Sequence, residues 1–382
     1  MKKIIIIGAN NFQLPLIRKA KEMELETHVF AWAEGAIGKE YADYFYPISI
    51  TEKDIILEKA KQIKPDAVLS IASDLAIITV NYLTSKLGLI GNSLDCTEVT
   101  TNKYLMRKRL LEYSLPCPKF TNNSKSELTD FSFPLIIKPT DRSGSRGISI
   151  VNSKKDLKCA VEQALDESFN KQVIIEEFIY GKEYSVEMIS WKGEHNFLQI
   201  TEKETSGAPY FIEKEQHQPA NISNDKKEEV IEIIKKSLDA LEVKNGASHS
   251  EIIINDYGKV YITEIGARMG GDYIGSDLVE LSTGFDFVKA VIEVSLNIRP
   301  EIELSSNYFS GIYYTFAPKG RVSEIINHSK KFTEIIRNEV YCAKGDQIPE
   351  IRESGVRPAC FIYQSVNKRF IPNQNIIKIV TK

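Results

Sequence analysis

The stretch 247–268 reads ASHSEIIINDYGKVYITEIGAR and consists of two β-rich arms on either side of a turn-forming centre. The central residues, Asn255-Asp256-Tyr257-Gly258-Lys259, are of the kind that connects antiparallel strands, so the stretch predicts a β-hairpin. With Tyr257 and Gly258 at the turn, three pairs of residues are expected to face each other: Asn255 with Val260, Ile253 with Ile262, and Glu251 with Glu264.

Glu251 and Glu264 are the informative pair, because like charges directly opposite each other destabilise a hairpin. The same register places them on the face of Ile253 and Ile262, the side expected to be covered. A divalent cation with oxygen ligands would remove the repulsion. A rim of solvated glutamates would also remove it, as would a bulge that shifts the register by one residue. We interpret the pair as a metal site.

The composition argues against several classes of protein. The chain has 382 residues, enough for two or three domains with a large core, and a formal net charge of −3. It has no basic stripe with interleaved aromatic residues, which argues against nucleic acid as a partner. No uninterrupted apolar run is long enough to span a membrane, and the first residues do not follow the signal-peptide pattern. The five cysteines lack CxxC spacing, so we expect reduced thiols in a cytoplasmic protein.

Residues 1–96 alternate between strand-like and helix-like segments. This alternation predicts a doubly wound parallel sheet with helices on its faces. The first turn, Gly8-Ala9-Asn10-Asn11, is not the GxGxxG pattern of dinucleotide-binding folds. We expect it to form half of a substrate cleft or simply to cap a helix. Ser73-Asp74 begins a later helix, where capping is the favoured interpretation.

The middle of the chain combines a lysine with a Ser/Gly-rich loop. Lys138 ends a predicted strand, and the loop Ser143–Gly147 follows it. Backbone N–H groups of such a loop can surround phosphates, while a neighbouring lysine adds a point charge. A helix is predicted over about 97–114, and its basic residues have a spacing that usually marks a solvated face. These residues are Lys103, Arg107, Lys108 and Arg109.

Three segments, in this combination and order, resemble the ATP-grasp superfamily of ATP-dependent carboxylate–amine ligases. They are Pro134–Pro139 with the Ser143–Gly147 loop, Ile175–Ile179 with Gly181-Lys182-Glu183, and His249-Ser250-Glu251 with Thr263–Arg268. Within the superfamily the chain is most similar to the L-amino-acid (dipeptide) ligase branch. The narrower similarity lies in Glu264–Asp272, in Phe316–Val322, and in Gly345-Asp346 through Gly355-Val356-Arg357.

The resemblance implies an architecture of three domains and a binding site for ATP. The domains are a Rossmann-like pre-ATP-grasp domain (1–96), an α+β ATP-grasp domain (97–300) with a mobile lid at about 115–178, and a small β-rich C-terminal domain (301–382). Glu177 and Ile179 would present backbone groups to adenine, and Glu183 would accept hydrogen bonds from the ribose. The implied nucleotide-binding residues are Lys103, Lys138, Ser143, Gly144, Ser145, Glu176, Glu177, Phe178, Ile179 and Glu183.

The resemblance also implies where the metal and the chemistry lie. Glu251 and Glu264 would hold one or two Mg²⁺ ions, with Mn²⁺ as an alternative. Arg268 and Lys138 would stabilise charge on the transferred phosphoryl group. Many relatives carry Asn two residues after the second metal-binding Glu, whereas this chain has Gly266, which leaves the number of metal ions open.

Fewer signals predict how the substrates are recognised. The stretch 201–219 is polar and shows no evident secondary structure, so we expect it to border an amino-acid pocket, as in the resembling ligases, or to be disordered. The predicted substrate residues are His217, Arg268 and Gly271. His217 would otherwise be an ordinary loop histidine. His249 would support the metal or lie satisfied in the core, and Tyr273 would line the amine side or serve in packing.

Three classes of function fit these patterns. The favoured one is an ATP- and Mg²⁺-dependent ligase that joins the carboxylate of an amino acid to an amine, most simply a second amino acid. The alternative is an ATP-grasp enzyme of the purine-biosynthesis or bicarbonate- or formate-activating type, although those tend to continue with Arg-Pro-His where this chain has Arg268-Met269-Gly270-Gly271. The third is a non-catalytic nucleotide binder. Small-molecule substrates are the expected partners, and relatives are commonly homodimers.

Overall fold

The computed structural model describes residues 1–122, 128–372 and 375–382. Its N-terminal part is a four-stranded parallel sheet in the order β3-β2-β1-β4, with helices on both faces. The elements are β1 (Lys3–Ile7), α1 (Leu14–Glu22), β2 (Glu26–Phe30), β3 (Tyr44–Tyr46), α2 (Lys53–Ile63), β4 (Ala67–Leu69) and α3 (Asp74–Leu87). Ile4 and Ile6 pack into one core cluster and Ile5 and Ile7 into another, as expected for a parallel strand buried on both faces. The predicted doubly wound sheet is confirmed.

The carboxyl ends of β1 and β4 carry the loops that face the rest of the molecule. The side-chain amide of Gln13 donates to the Ile71 carbonyl at 2.8 Å and ties the two loops together. Ser73 caps α3, because its hydroxyl accepts a hydrogen bond from the Ala76 amide at 3.2 Å. The capping interpretation of Ser73 is therefore confirmed.

The single helix predicted over 97–114 is two helices, α4 (Leu94–Thr101) and α5 (Lys103–Glu112). Asn102 breaks the helix with an extended backbone (φ −120°, ψ 108°), and its side chain caps α5. The break places Lys103 in the first turn of α5, where its backbone amide donates to the Thr140 carbonyl at 2.8 Å. Lys103 is buried rather than part of a solvated face.

A second, small antiparallel sheet forms in the region predicted to be the lid. Its elements are β5 (Phe120–Thr121), β6 (Leu135–Pro139), β7 (Ser149–Val151), α6 (Leu157–Glu167) and β8 (Val173–Glu177), with the strand order β5-β8-β6-β7. Leu135, Ile137 and Val173 of this sheet pack against Ala160 and Ala164 of α6 in a separate core cluster. The lid therefore has its own small core.

The central sheet has eight strands in the order β13-β12-β9-β10-β11-β14-β18-β16. The remaining elements are β9 (Lys182–Trp191), β10 (Glu194–Thr205), β11 (Glu213–Gln218), α7 (Asn224–Ala240), β12 (Gly246–Ile254), β13 (Val260–Gly266), α8 (Val279–Thr283), α9 (Phe287–Ser295), β14 (Phe309–Thr315), β15 (Gly320–Asn327), β16 (Ile335–Val340), β17 (Gln347–Ile348), β18 (Ala359–Ser365) and β19 (Ile377–Thr381). Strands β17, β15 and β19 form a three-stranded sheet. Short 3₁₀ segments lie at Ile37–Glu40, Leu128–Asp130, Ser329–Lys331 and Ser354–Val356, and a π-helical segment at Ile274–Leu278.

Two features of the central sheet differ from the sequence-based expectation. The polar stretch 201–219, predicted to lack secondary structure, contains the end of β10 and all of β11, whose side chains alternate between the two sheet faces. The sheet also runs through the predicted boundary at residue 300, since β11 pairs with β14. The C-terminal part thus shares a sheet with the part before it, and the predicted domain bounds remain predictions. No helix among the described residues is long and apolar enough to cross a membrane.

Candidate active site

The β12–β13 hairpin places Glu251 directly opposite Glu264, as predicted. The rest of the predicted register is wrong, because Ile252 faces Ile262 and Ile253 faces Tyr261. A bulge between Glu251 and Ile252 adds one residue to β13 on the turn side of the glutamate pair. The bulge considered as an alternative to metal binding does exist, and it brings the glutamates opposite each other, because the register on the turn side would otherwise pair Glu251 with Thr263.

The bulge decides which side chains of β13 face the core. Ile262 and Ile265 are fully buried in the core cluster beneath the sheet, whereas Thr263 and Glu264 line a cavity. In a regular strand Ile262 and Glu264 would share a face, because residues two apart do so. The expectation that the glutamates share a covered face with Ile262 is therefore wrong.

A cavity of about 370 Å³ lies between the lid sheet and the central sheet. Thirteen of the predicted site residues line it: Lys103, Lys138, Ser143, Gly144, Ser145, Glu176, Glu177, Phe178, Ile179, Glu183, Glu251, Glu264 and Arg268. The folded chain thus brings together residues separated by more than a hundred positions in sequence. Their individual roles remain predictions, and two predicted residues, His217 and Gly271, lie outside the lining.

Glu176 is the fully buried centre of an ion-pair network on the lid side. Its carboxylate contacts the Arg107 guanidinium at 2.6 Å and the Lys138 ammonium at 2.6 Å. Burial would raise the pKa of Glu176, but these two cations outweigh burial and lower it. Arg107, also fully buried, donates a further hydrogen bond to the Thr263 carbonyl at 2.5 Å. With both cations on its carboxylate, Glu176 orients Lys138 toward the cavity.

Two lysines neutralise the glutamate pair. Lys203 contacts Glu251 at 2.5 Å, and Lys103 contacts Glu264 at 3.0 Å. Burial alone would lower the pKa of Lys203, but the carboxylates of Glu251 and Glu213 outweigh burial and raise it. The repulsion that suggested a metal ion is therefore already relieved by lysines, and that step of the sequence-based argument is wrong.

The glutamate pair nevertheless fits a magnesium ion that is bound together with nucleotide. In the part of the chain that the structure describes, no cluster of three or more His, Cys, Asp or Glu residues forms a metal cage. Mg²⁺ is usually held by one or two carboxylates, with substrate phosphates and water completing its octahedron. Glu251 and Glu264 supply such a pair of oxygen donors on the cavity wall.

The strand end at Glu177–Tyr180 forms the other end of the cavity. The amides of Glu177 and Phe178 donate to the carbonyls of Lys119 and Pro134 at 3.0 and 3.1 Å. The Ile179 amide, by contrast, has no hydrogen-bond partner within the described ranges. The Phe178 ring packs edge-on against Tyr180 with centroids 4.9 Å apart. A free amide beside an aromatic wall suits the edge of a planar base.

The Ser/Gly-rich loop touches both walls of the cavity. Gly144 and Ser145 adopt left-handed backbone conformations, with φ of 70° and 60°. The Ser145 hydroxyl lies 3.5 Å from the Phe211 carbonyl, across the cavity. The Lys103 ammonium donates to the Arg142 carbonyl, just before the loop, at 2.7 Å. The loop therefore covers the cavity between the two sheets.

Arg268 is held by an N-terminal residue that the sequence analysis treated only as part of a helix cap. Its Nε and Nη2 atoms donate to the two carboxylate oxygens of Asp74 at 2.7 and 2.9 Å. A Cβ atom on Gly266 would lie 3.1 Å from Asp74 Oδ1 and 3.2 Å from Arg268 Nε. Glycine at position 266 therefore leaves room for this ion pair, which links the start of α3 to the segment after β13.

His249 lies behind Glu251 and does not line the cavity. Its Nδ1 pairs with the buried Glu187 carboxylate, and its Nε2 is 3.5 Å from Glu251 Oε1. Burial lowers the pKa of His249, but the charge and hydrogen bond of Glu187 outweigh burial and raise the pKa to about 9. A protonated His249 would therefore hold Glu251 in place, which agrees with the supporting role considered for it.

His217 is neither a loop histidine nor part of the cavity lining. It lies in β11, 1% exposed, with hydrogen bonds to the Tyr363 hydroxyl at 3.0 Å and to Glu215 at 3.1 Å. Tyr273 is also buried, and its hydroxyl is 2.9 Å from that of Tyr341. The contacts of both side chains are those of packing. Gly271 lies next to Ala72, between the N-terminal part and the central sheet.

A lid sheet and a larger sheet enclose a cavity lined by lysines, carboxylates and aromatic side chains. This arrangement is typical of proteins that bind a nucleotide between two sheets. Residues 131–277 match the family model described as an ATP-grasp domain. The chain therefore carries an ATP-grasp domain, and the resemblance seen in its sequence is confirmed at that level.

The relatives perform more than one reaction. The chain is 29% identical over 226 residues to a formate-dependent phosphoribosylglycinamide formyltransferase of Prochlorococcus marinus, covering 57% of this chain and 55% of that protein. It is 29% identical over 216 residues to a D-alanine–D-alanine ligase of Francisella tularensis, covering 53% and 70%. The L-amino acid ligase from Bacillus licheniformis superposes with a TM-score of 0.85 at 21% identity, covering 100% and 99% of the two chains. The match spans about half of the formyltransferase, and the structural likeness shows a shared fold.

Proposed function

We propose that the protein is an ATP- and Mg²⁺-dependent carboxylate–amine ligase that releases ADP and phosphate, with an amino acid as the carboxylate substrate. The observation that carries the proposal is the convergence of Glu251, Glu264, Lys138, Lys203 and Arg268 on one cavity. A protein that only binds nucleotide has no need to bury so many paired charges, because burying charge is costly.

In the first step, an oxygen of the substrate carboxylate attacks the γ-phosphorus of ATP and the bond to the β–γ bridging oxygen breaks. The products are an acyl phosphate and ADP. The protein contributes to such a transfer by positioning the groups and neutralising their charge. Lys138, fixed by Glu176, and Arg268, fixed by Asp74, present cations that are already oriented.

Glu251 and Glu264 are the residues that would hold Mg²⁺, which neutralises phosphate oxygens when it is bound. Lys203 and Lys103, which pair with these carboxylates, would then turn toward the phosphates. The two lysines thus neutralise the glutamates when the site is empty and the phosphates when nucleotide is bound.

In the second step, the amine nitrogen attacks the carbonyl carbon of the acyl phosphate. The bond from that carbon to the phosphate oxygen breaks, phosphate leaves, and the nitrogen loses a proton as the amide forms. The step needs no covalent nucleophile from the protein. The loop at Ser143–Ser145 would exclude water, which would otherwise hydrolyse the acyl phosphate.

A formate-activating or purine-type reaction is the second candidate, favoured by the match to the formate-dependent formyltransferase. In that reaction, formate would be the carboxylate substrate, and the amine of a ribonucleotide would be the second substrate. The phosphoryl transfer is the same in both reactions, so the substrates distinguish them.

The test is ATP-dependent phosphate release with Mg²⁺ across amino acids offered singly and in pairs, with mass spectrometry of the products. We expect release to require one pair and to yield a product of the condensation mass. The Glu251→Gln/Glu264→Gln double variant keeps the side-chain sizes but removes both carboxylates. Its rate of phosphate release gives the background of the assay. Turnover only with formate, bicarbonate or a purine ribonucleotide would favour the second candidate, and no ADP from any mixture would contradict the ligase proposal.

Lys203 was not predicted from the sequence, and its removal should weaken nucleotide binding. The Lys203→Met variant loses a buried cation near the phosphate end of the cavity. A charged hydrogen bond contributes about 1.5–3 kcal/mol, so we expect the Kd for ADP to rise roughly 10- to 100-fold. Isothermal calorimetry with ADP, in the presence and absence of Mg²⁺, measures the change.

Lys214 offers a matched control, because it also lies in the stretch 201–219 but its side chain is exposed. The Lys214→Met variant should bind ADP as the unmodified protein does. Equal ADP affinity in the Lys203→Met variant and the unmodified protein would show that Lys203 serves only to neutralise Glu251.

A further inference from the structure

The segment 268–273, here called the junction segment, is contacted by all three parts of the chain. From the N-terminal part, Asp74 pairs with Arg268 and the Ala72 amide donates to the Met269 carbonyl at 3.3 Å. From the central sheet, Glu187 accepts a hydrogen bond from the Gly270 amide at 3.2 Å. Its first residue, Arg268, lines the same cavity as Glu251 and Glu264, so the junction segment begins at the proposed site of phosphoryl transfer.

The junction segment has a strained backbone at its far end. Asp272 and Tyr273 have φ of 52° and 62°, two successive left-handed residues with side chains. Such conformations are unfavourable for residues that carry a Cβ atom and persist where the surroundings hold them. Upstream, a Cβ on Gly270 would lie 2.8 Å from His249 Nδ1, so the segment has little freedom to shift as a unit.

Arg357, from the C-terminal part, holds the strained end in place. Its Nη2 donates to both carboxylate oxygens of Asp272 at 2.8 and 2.9 Å. Its Nε donates to the Ser354 carbonyl at 2.7 Å and its Nη1 to the Glu213 carbonyl at 3.1 Å. The guanidinium carbon is 3.5 Å from the centre of the Tyr314 ring. All three nitrogens donate within the protein, and the two hydrogen bonds of Nη2 to Asp272 are the contacts by which Arg357 reaches the junction segment.

The position of Arg357 separates it from the nucleotide. Neither Arg357 nor Asp272 is among the residues that line the cavity. Arg357 is 6% exposed, and it belongs to the Gly355-Val356-Arg357 motif, which the nucleotide site does not use. Its contact with the junction segment is the pair with Asp272, and of its other partners only Glu213 lines the cavity.

We infer that Arg357 is a positioning residue for the substrate side of the reaction: it fixes the left-handed turn at Asp272–Tyr273 and thereby places Gly270, Gly271 and Arg268 against the carboxylate and amine. This inference rests on the proposed ligase function. It predicts that the C-terminal part is needed for substrate recognition and not for nucleotide binding. Lysine cannot replace arginine here, because a single ammonium cannot contact Asp272 together with the Ser354 and Glu213 carbonyls, which Nε and Nη1 reach.

The test compares the Arg357→Lys and Arg357→Gln variants with Arg299→Gln, which removes an arginine from an exposed pair with Glu194. Hydrogen–deuterium exchange of peptides covering 266–278 reports the junction segment directly. We expect exchange to rise most strongly there and ADP affinity to stay close to that of the unmodified protein, while the melting temperature falls because a buried ion pair loses one partner. The KM for the amino-acid substrate should rise about 10- to 100-fold, while the KM for ATP stays the same.

Each outcome decides the inference. Unchanged exchange at 266–278, or exchange that rises to the same extent throughout the chain, would overturn it, since the second pattern is that of a residue that supports only overall stability. A protein that turns over no substrate would refute the proposed function, and the exchange pattern would still decide whether Arg357 holds the junction segment. The Asp272→Gly variant should show the same local exchange as Arg357→Gln, because it removes the other half of the contact.

Discussion

Replacing Arg268 with alanine should lower kcat by about 10²–10³-fold, the usual cost of removing one preorganised charge from a transition state. Arg268 lines the cavity and is fixed in orientation by two hydrogen bonds to Asp74. Its loss removes a cation at the point where charge builds on the transferred phosphoryl group. The affinity for ADP should change little, because the adenine end of the cavity is formed by other residues. Steady-state phosphate release and ADP calorimetry measure the two effects.

The Arg268→Ala variant also leaves the Asp74 carboxylate without its partner. Burial raises the pKa of Asp74, but the charge and hydrogen bonds of Arg268, together with the charges of Lys103 and His249, outweigh burial and lower it. The Asp74→Asn/Arg268→Ala double variant separates the two causes. If the unpaired carboxylate alone blocks turnover, the double variant recovers activity. If Arg268 itself stabilises the transition state, the double variant stays as slow as the single one, and this is the result we expect. A single variant with nearly unchanged kcat would contradict the role of Arg268.

Replacing Glu176 with alanine should lower the free energy of unfolding by about 3–5 kcal/mol, as expected when one partner of a buried ion pair is removed. Arg107 would then remain fully buried without its carboxylate, next to Lys138. The two cations would repel each other, and the lid would lose its buried ion pair with α5. Urea unfolding, followed by circular dichroism, measures the change.

Two control variants test whether the buried network causes this loss. The Glu194→Ala variant removes a carboxylate that pairs with Arg299 on the surface, and should cost about 0–1 kcal/mol. The Glu176→Leu/Arg107→Met variant removes both buried charges and should recover much of the stability, because apolar residues of similar size replace a buried pair well. An equal loss for Glu176→Ala and Glu194→Ala would mean that the network does not stabilise the lid.

The sequence was most informative where function requires particular residue types at short spacing. The alternation of strands and helices predicted the parallel N-terminal sheet, and the turn at Asn255–Lys259 predicted that Glu251 faces Glu264. The family resemblance brought Lys138, the Ser143–Gly147 loop and Arg268 together before the fold was known, and they line one cavity. These signals are local or motif-like, so a single sequence contains them.

The partners of these residues could not be predicted in the same way. Lys203 lies 48 positions from Glu251, Asp74 lies 194 positions from Arg268, and Arg357 lies 85 positions from Asp272. In the sequence, a lone Lys in a strand or an Asp at the start of a helix gives the same pattern whether its side chain faces water or a buried charge. The β13 bulge was equally hidden, because no residue type marks it.

The fold class and most of the cavity lining thus follow from the amino-acid order alone, since each depends on periodicity or a motif. The glutamates face each other only because the bulge offsets a turn register that differs by one residue from the predicted one. The balance of charges emerges only in the folded chain: lysines rather than a metal ion relieve the Glu251–Glu264 repulsion, and an N-terminal carboxylate orients Arg268. The physical reason is that electrostatic energy depends on distance and burial in space. Neither quantity can be read from spacing along a chain.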